Sequence, residues 1–388
     1  MHIRHNIFKM HLLKGVLWFM VAMPIIVLFY QEHDLNLIQI MILQSIYSIS
    51  VAFFEIPSGY IADLFGRRKT IIISTFFSFL GYLMFSYFGS FFAFAIAQFL
   101  VGIAGSLISG SDTALIYDTL KELGKQDSYT KVEGKNYAIG NFSESIAGII
   151  GGFLAVSSIY FPVYLQTIIL FFSIPIAFSL VEPLIKDEEK IGKSLGQVLN
   201  IVHFVIVDNV KLRWLIIYSS TMGVATLSMA WFAQPFFREV NIPLVYFGIL
   251  WAGLNFSSGI TSWNAYLFKK YMNNYKLLIF ISLLIFILFF NIGFLISIYG
   301  LFFIFLIYLL RGIVTPTLRE EININTSSNK RATVLSIRSF IIRISFAVFA
   351  PILGYIAEYY CLSYSFYFLA FLISIFSFLS LYNLLKLD

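Results

Sequence analysis

Charged side chains stand inside long apolar stretches of this sequence, and they set the chemistry it can offer. The first half carries Lys14, Glu55, Asp63, Asp112, Asp118 and Glu144 in such stretches. The second half carries Arg311, Arg319, Glu320, Glu321, Arg338 and Arg343. A charge placed in hydrocarbon costs roughly 3 kcal/mol or more unless it is paired or solvated, so each is a functional candidate. A desolvated carboxylate can take up and return a proton, whereas a desolvated guanidinium holds an anion or pairs with a carboxylate. Asp112, Glu144 and Glu55 are therefore the candidates for proton exchange. Arg311, Arg338 and Arg343 are the candidates for an anionic group. Arg311 is the sharpest of these, because it falls near the middle of its stretch, too deep for its head to reach water. Its alternative is a pair with a carboxylate such as Asp112. Arg338 and Arg343 lie roughly 140° apart around a helix and do not share one face; Arg338 is expected to meet Glu55 or Glu320. Gln98, Gln234 and Asn255 also need partners in hydrocarbon, and with Trp231 they are candidates to line a pocket for an organic solute.

Helices must position these groups. The chain has 388 residues, 59% of them hydrophobic and only 12% charged, with a mean hydropathy of +0.86. A soluble domain carries about 25% charged residues, so this is a polytopic, all-α membrane protein. Twelve apolar segments are long enough to span: 10–30, 37–61, 69–88, 91–119, 134–157, 160–181, 211–236, 243–267, 275–296, 299–321, 331–357 and 363–385. With the amino end inside, Arg4, Lys9, Arg67, Arg68, Lys69, Lys121, Lys125, Lys131 and Lys135 fall on the cytoplasmic side. So do Lys186, Lys190, Lys193, Lys211, Arg213, Lys269, Lys270, Lys276, Lys330, Arg331 and Lys386, while the outer segments hold only Arg238. That asymmetry places both ends in the cytoplasm and explains the net charge of +6 without nucleic acid. The first span has no small-residue cleavage site and reads as a retained helix. One cysteine, Cys361, excludes an internal disulfide, and no histidine pair has ligand spacing, so neither a metal nor a cofactor is expected.

The longest break divides the chain into a six-helix bundle at 1–181, a linker at 182–210 and a second six-helix bundle at 211–388. Within the linker, Leu195, Val198, Leu199, Val202 and Ile206 recur at helical spacing after Ser194, which predicts an amphipathic helix on the cytoplasmic face. The halves look duplicated. One displacement carries Ala62–Arg67 onto Ala265–Lys270, Asp118 onto Glu321, and Gly148–Gly151 onto Pro351–Gly354. Within the fourth span, Gln98, Gly102, Gly105, Ser109 and Asp112 follow at steps of four and three and predict one polar, small-residue face. In the fifth, Asn136, Gly140, Glu144, Ala147 and Gly151 do the same.

Between the second and third spans stands Gly59-Tyr-Ile-Ala-Asp63-Leu-Phe-Gly66-Arg67-Arg68-Lys69. This string resembles the signature loop between helices two and three of the major facilitator superfamily, and the lead-in Glu55-Ile-Pro57-Ser-Gly59 resembles bacterial members. The resemblance implies two pseudo-symmetric six-helix halves that rock about a midplane site. It implies a gate in which Gly59, Asp63, Gly66, Arg67 and Arg68, with Asp118 as acidic partner of Arg67, hold one conformer closed. In the second half Tyr266 stands where the loop has Asp63. Gln98 stands where some members carry a basic residue. Gly148-Ile-Ile-Gly-Gly152 resembles the glycine run of antiporters, without its usual proline.

The expected function is secondary transport of a small organic solute across the bacterial inner membrane, coupled to protons and running as export. The chain has no phosphate-cradling glycine loop for ATP, and it is expected to act as a monomer among membrane lipids. The alternative is import or exchange of an organic anion through Arg311. A non-transporting receptor or an enzyme is the remote reading: no convergent catalytic site is visible and no soluble domain is appended.

Overall fold

The computed structural model describes residues 3–184, 200–265, 274–327 and 330–387. The side chains of Ile56, Gly59, Tyr60, Asp63, Thr130, Asn274 and Ala332 also lie outside the description. The described chain is all helix and turn. In order the helices are α1 (Asn6–Leu17), α2 (Ile26–Glu32), α3 (Leu37–Phe65), α4 (Arg67–Tyr87), α5 (Phe91–Ile108), α6 (Ser111–Glu122), α7 (Tyr129–Ser157) and α8 (Phe161–Ser179). There follow α9 (Val210–Glu239), α10 (Val245–Trp263), α11 (Asn274–Phe294), α12 (Gly300–Ile324), α13 (Arg331–Tyr359) and α14 (Leu362–Leu385). Long apolar sequence forces this choice, because hydrocarbon offers the backbone no hydrogen-bond partners and a helix satisfies its own. Ten segments among the described residues are long and apolar enough to cross a membrane.

Two expected spans are broken. The segment 10–30 is α1 and α2, separated by Trp18–Ile25. Pro24, which lacks an N–H, stands in that break, and the Val21 N–H donates to Gln166 Oε1 at 2.6 Å instead of to its own helix. The segment 91–119 is α5 and α6, parted where Ser109 is extended and Gly110 has φ 83°. The fifth span starts earlier than expected, at Tyr129. Of the amphipathic helix expected in the linker, Ser194, Leu195, Val198 and Leu199 lie outside the described residues. Its described end closes in a π-type turn, Phe204–Asp208. Tyr266, Lys269 and Lys270 also lie outside the description.

The contacts divide into two compact units. The first comprises Met1–His33, Ile46–Lys193 and Leu244–Ala252. Its core joins Met10 and Leu13 of α1, Ile71 of α4, Leu115, Ile116 and Leu120 of α6, and Ala177 of α8. Since lipid tails are as apolar as leucine, helices here associate through close packing and polar bonds rather than through a hydrophobic gain. Asn6 supplies such bonds. It is wholly buried, its Nδ2 donates to Thr119 Oγ1 at 3.2 Å and to the Val181 carbonyl at 2.7 Å, and its Oδ1 accepts from Val181 N at 3.0 Å. Close packing is supplied by α7. A Cβ at Gly151 would overlap the carbonyl of Val21 in the α1–α2 break, and one at Gly152 would stand 2.7 Å from the Gly248 nitrogen.

The second unit comprises Asp34–Ser45, Ser194–Pro243 and Gly253–Asp388. Here α9 packs against α12, α13 and α14, and α11 against α14. Leu212, Leu215, Ile216, Ile322, Val334, Ile337 and Leu384 form its core. Tyr218 donates to the Leu278 carbonyl at 2.8 Å and ties α9 to α11. The start of α3 docks on α13. Glu358 Oε2 accepts from Leu37 N at 2.9 Å, and Ser45 Oγ donates to the Ala347 carbonyl at 2.9 Å.

Candidate functional site

Gly66 separates α3 from α4 with φ 95° and ψ 149°, a conformation open almost only to glycine. The turn aims the first N–H groups of α4 away from any helical acceptor, and a carboxylate from after α8 receives them. Glu182 Oε1 accepts from Arg67 N at 2.8 Å and Glu182 Oε2 from Arg68 N at 2.7 Å. The negative charge meets the positive end of the helix dipole. A Cβ on Gly66 would stand 3.1 Å from that carboxyl group, so the fit also requires a residue without one. The Arg67 side chain turns to α6, where its Nε donates to Asp118 Oδ2 at 2.5 Å. Arg68 Nη2 donates to the Phe178 carbonyl of α8 at 2.8 Å. One turn of chain thereby joins α4, α6 and α8. Gly59 and Asp63 belong to α3, but their side chains lie outside the described residues. Glu182 is absent from the sequence reading because it opens the linker and looks solvated there; its only signal is that it directly follows a span.

A second cluster lies where α1, α6 and α7 meet. Lys14 Nζ is 3.6 Å from Asp112 Oδ2 and 4.6 Å from the centre of the Trp18 ring. Asp112 sits in the first turn of α6, where the helix dipole favours its charge, and its Oδ1 accepts from Thr113 N at 2.7 Å. The break at Gly110 removes Asp112 from the face of Gln98, Gly102 and Gly105 on which the sequence pattern put it. Its ion pair is Lys14 rather than Arg311. Glu133 of α7 stands close enough to feel the charges of both Asp112 and Lys14. Glu133 does not figure among the charged candidates above, since the expected span began only at residue 134; its neighbour Asn136 stood on the polar face read in that span.

The other face residues separate from this cluster. Gln98 is buried and its Nε2 donates to the Tyr30 hydroxyl at 2.9 Å. Glu55 and Glu144 are half-buried, and each is engaged with a neighbour.

In the second unit Arg338 is buried and its Nε donates to Ser219 Oγ of α9, so its hydrogen bond is to neither Glu55 nor Glu320. Arg311, half-buried on α12, has its guanidinium carbon 5.6 Å from the centre of the Tyr308 ring. It makes no ion pair among the described residues. Beside it, α12 crosses α10 at close quarters: a Cβ on Gly312 would overlap the Thr261 hydroxyl, which donates to the Leu309 carbonyl at 2.8 Å. Arg343 is half-buried and engaged. Gln234 is buried and Asn255 half-buried, both engaged; Trp231 is half-buried on α9. Among the described residues no group of histidine, cysteine or acidic side chains is arranged to hold a metal.

Comparison with known proteins places this arrangement. The Major Facilitator Superfamily profile matches residues 10–319, and the chain belongs to that family. Among curated relatives, the uncharacterised MFS-type transporter YxaM of Bacillus subtilis (strain 168) is 31% identical over 147 residues, which are 38% of this chain and 36% of that one. An uncharacterised transporter of Buchnera aphidicola subsp. Acyrthosiphon pisum (strain APS) is 30% identical over 105 residues, 27% of this chain and 26% of that one. The matched stretches thus span about a third and a quarter of those relatives' lengths. In solved structures, a point variant of the nucleoside transporter NupG superposes with a TM-score of 0.83 at 13% identity, over 98% of this chain and 100% of that one. A bacterial homologue of the human lysosomal transporter Spinster gives 0.74 at 13% identity, over 99% and 98%. A D-xylose–proton symporter gives 0.72 at 12%, over 97% of each chain. At these identities the likeness is one of fold.

Proposed function

We propose that the protein is a proton-coupled secondary transporter that exports a small organic solute by alternating access. It works as a monomer in the bacterial cytoplasmic membrane. The observation that carries this reading is the ion pair of Asp112 with the Lys14 ammonium at 3.6 Å, with a second carboxylate, Glu133, in range of both charges within the first unit. Two acids and one base leave one negative charge that a proton can neutralise. A proton that binds there when solute leaves, and departs when solute binds, couples the two gradients. Glu144 continues the same face of α7 and offers a next position for that proton, and Glu55 another on α3. The export direction rests on the likeness of the Glu55–Gly59 lead-in to bacterial efflux members. In this reading Gly59, Asp63, Gly66, Arg67, Arg68 and Asp118 act as a gate. The bond from Arg67 to Asp118 and the cap from Glu182 hold α4, α6 and α8 as one rigid block.

A second reading draws on Arg311. A half-buried guanidinium over a tyrosine ring with no ion pair among the described residues is suited to an organic anion. Gln234, Asn255 and Trp231 are then further candidates to line the solute path, and Arg338 and Arg343 the further cations.

Purified protein in liposomes carrying a pH dye separates the two. Export by antiport predicts proton movement on adding organic cations, lost in Asp112→Asn. Movement or exchange only with anions, lost in Arg311→Ala, would replace the first reading with the second.

A further inference from the structure

The α1–α6–α7 cluster holds more than an ion pair. Lys14 shows what its wall accepts: an ammonium against the face of Trp18 and the carboxylate of Asp112. Beyond that ammonium lies a second acid, Glu133, with one oxygen buried and without a hydrogen-bond partner among the described residues. Beside it is Asn136, which is wholly buried. Its Nδ2 faces the neighbouring Glu133 carboxylate, while its Oδ1 finds no hydrogen-bond partner among the described residues. A buried amide carbonyl left unbonded costs about 1–3 kcal/mol, and it stays in a sequence where something completes it. Helical spacing puts Glu133, Asn136 and Gly140 on one face of α7. At Gly140 the missing side chain lets Trp18 and Lys14 pack closely on that face, their nearest atoms 3.3 and 3.4 Å from where a Cβ would stand. At the start of α7 a second aromatic, Tyr129, stands in range of both carboxylates and packs edge-on against Tyr117 at 5.5 Å. The other basic groups nearby do not fill the seat. His11 bonds the Val132 carbonyl at 3.3 Å, and Lys131 and Lys135 are exposed.

We infer that Glu133, Asn136 and Asp112 form a binding site for a monovalent protonated amine carrying an aromatic ring, seated beside the resident Lys14 ammonium. The N–H groups of the ligand donate to Glu133 and to the Asn136 carbonyl, its charge offsets the second carboxylate, and its ring lies against Tyr129. A quaternary ammonium would satisfy the charge but leave Asn136 unbonded; an anion would meet two carboxylates. This assignment rests on the reading of the chain as a carrier with its acids on the solute path, and it names the solute class.

The test is equilibrium binding to the full chain in detergent, with phenethylammonium, benzyltrimethylammonium and phenylacetate as probes. Phenethylammonium should bind most tightly and phenylacetate not at all. Glu133→Gln and Asp112→Asn should each weaken the amine about tenfold or more, a loss of one charge-assisted bond. Asn136→Leu should weaken phenethylammonium while leaving benzyltrimethylammonium unchanged. Lys14→Met should tighten the amine, because a like charge leaves the site. Glu133→Asp keeps the charge and should keep binding, which separates loss of the site from loss of the fold. Equal binding of phenylacetate, or amine binding indifferent to Glu133→Gln and Asn136→Leu in folded protein, would overturn the assignment. The assay needs neither gradient nor turnover. Ordered amine binding without proton movement would therefore refute the coupling alone, and amine-driven proton movement untouched by these variants would refute the site alone.

Discussion

Glu182 and Gly66 work as one part. The glycine supplies a backbone turn that other residues resist, and the carboxylate receives the two N–H groups which that turn exposes. Replacing Glu182 by Gln keeps one acceptor and removes the charge. The expected cost is about 1–2 kcal/mol, from a charged cap at a helix N-terminus, read as a lowered melting temperature in detergent. Gly66→Ala should cost about 1–3 kcal/mol in backbone strain, with the methyl also pressing on Glu182. If the two effects share one contact, the double variant should lose less than the sum of the singles; full additivity would show that they are independent. Arg67 and Arg68 were legible in the sequence because the loop motif is contiguous, and Asp118 only through the family resemblance. Glu182 was not, since its partner is far along the chain and nothing local marks a carboxylate as a cap for another helix. Glu133 escaped for a related reason. Its neighbours Lys131 and Lys135 give the stretch a loop-like composition, yet α7 continues through it and carries the acid into the cluster.

Helix existence was read well from apolar length, and helix continuity less well. The sequence presents 10–30 and 91–119 as uninterrupted, but the chain leaves the helix at Trp18–Ile25 and at Ser109–Gly110. Neither break is visible in hydropathy, because the residues in it stay apolar or small. What permits the first is distant: Gln166 takes up the freed Val21 N–H, and Gly151 lets the Val21 carbonyl approach α7. Gly151→Val should therefore push on the break and destabilise the first unit by about 1–3 kcal/mol, the usual cost of overpacking. Gly134→Ala, on the same helix, meets nothing within 4 Å. It should be neutral or stabilising by up to about 1 kcal/mol through helix propensity. Thermal unfolding of the two variants side by side checks the contrast, and equal melting temperatures would contradict the close contact at Gly151. The glycines of α7 thus have packing reasons of their own, and they carry no inference to antiport by themselves.

At the scale of the molecule, family and fold were legible from a short loop and a hydrophobic rhythm, whereas the solute was not. The motif fixes helix packing at Gly66–Arg68, which any member needs whatever it carries, while selectivity resides in a few side chains scattered over several helices. The central claim is that the carboxylates of the first unit couple a proton gradient to solute movement. Inverted membrane vesicles test it most directly, with uptake of an aromatic amine measured under an imposed proton gradient, acid inside. The account predicts accumulation above the outside concentration, collapse on adding a protonophore, and loss of accumulation in Asp112→Asn and Glu133→Gln. Accumulation that survives the protonophore would contradict it, as would its absence alongside anion exchange that depends on Arg311.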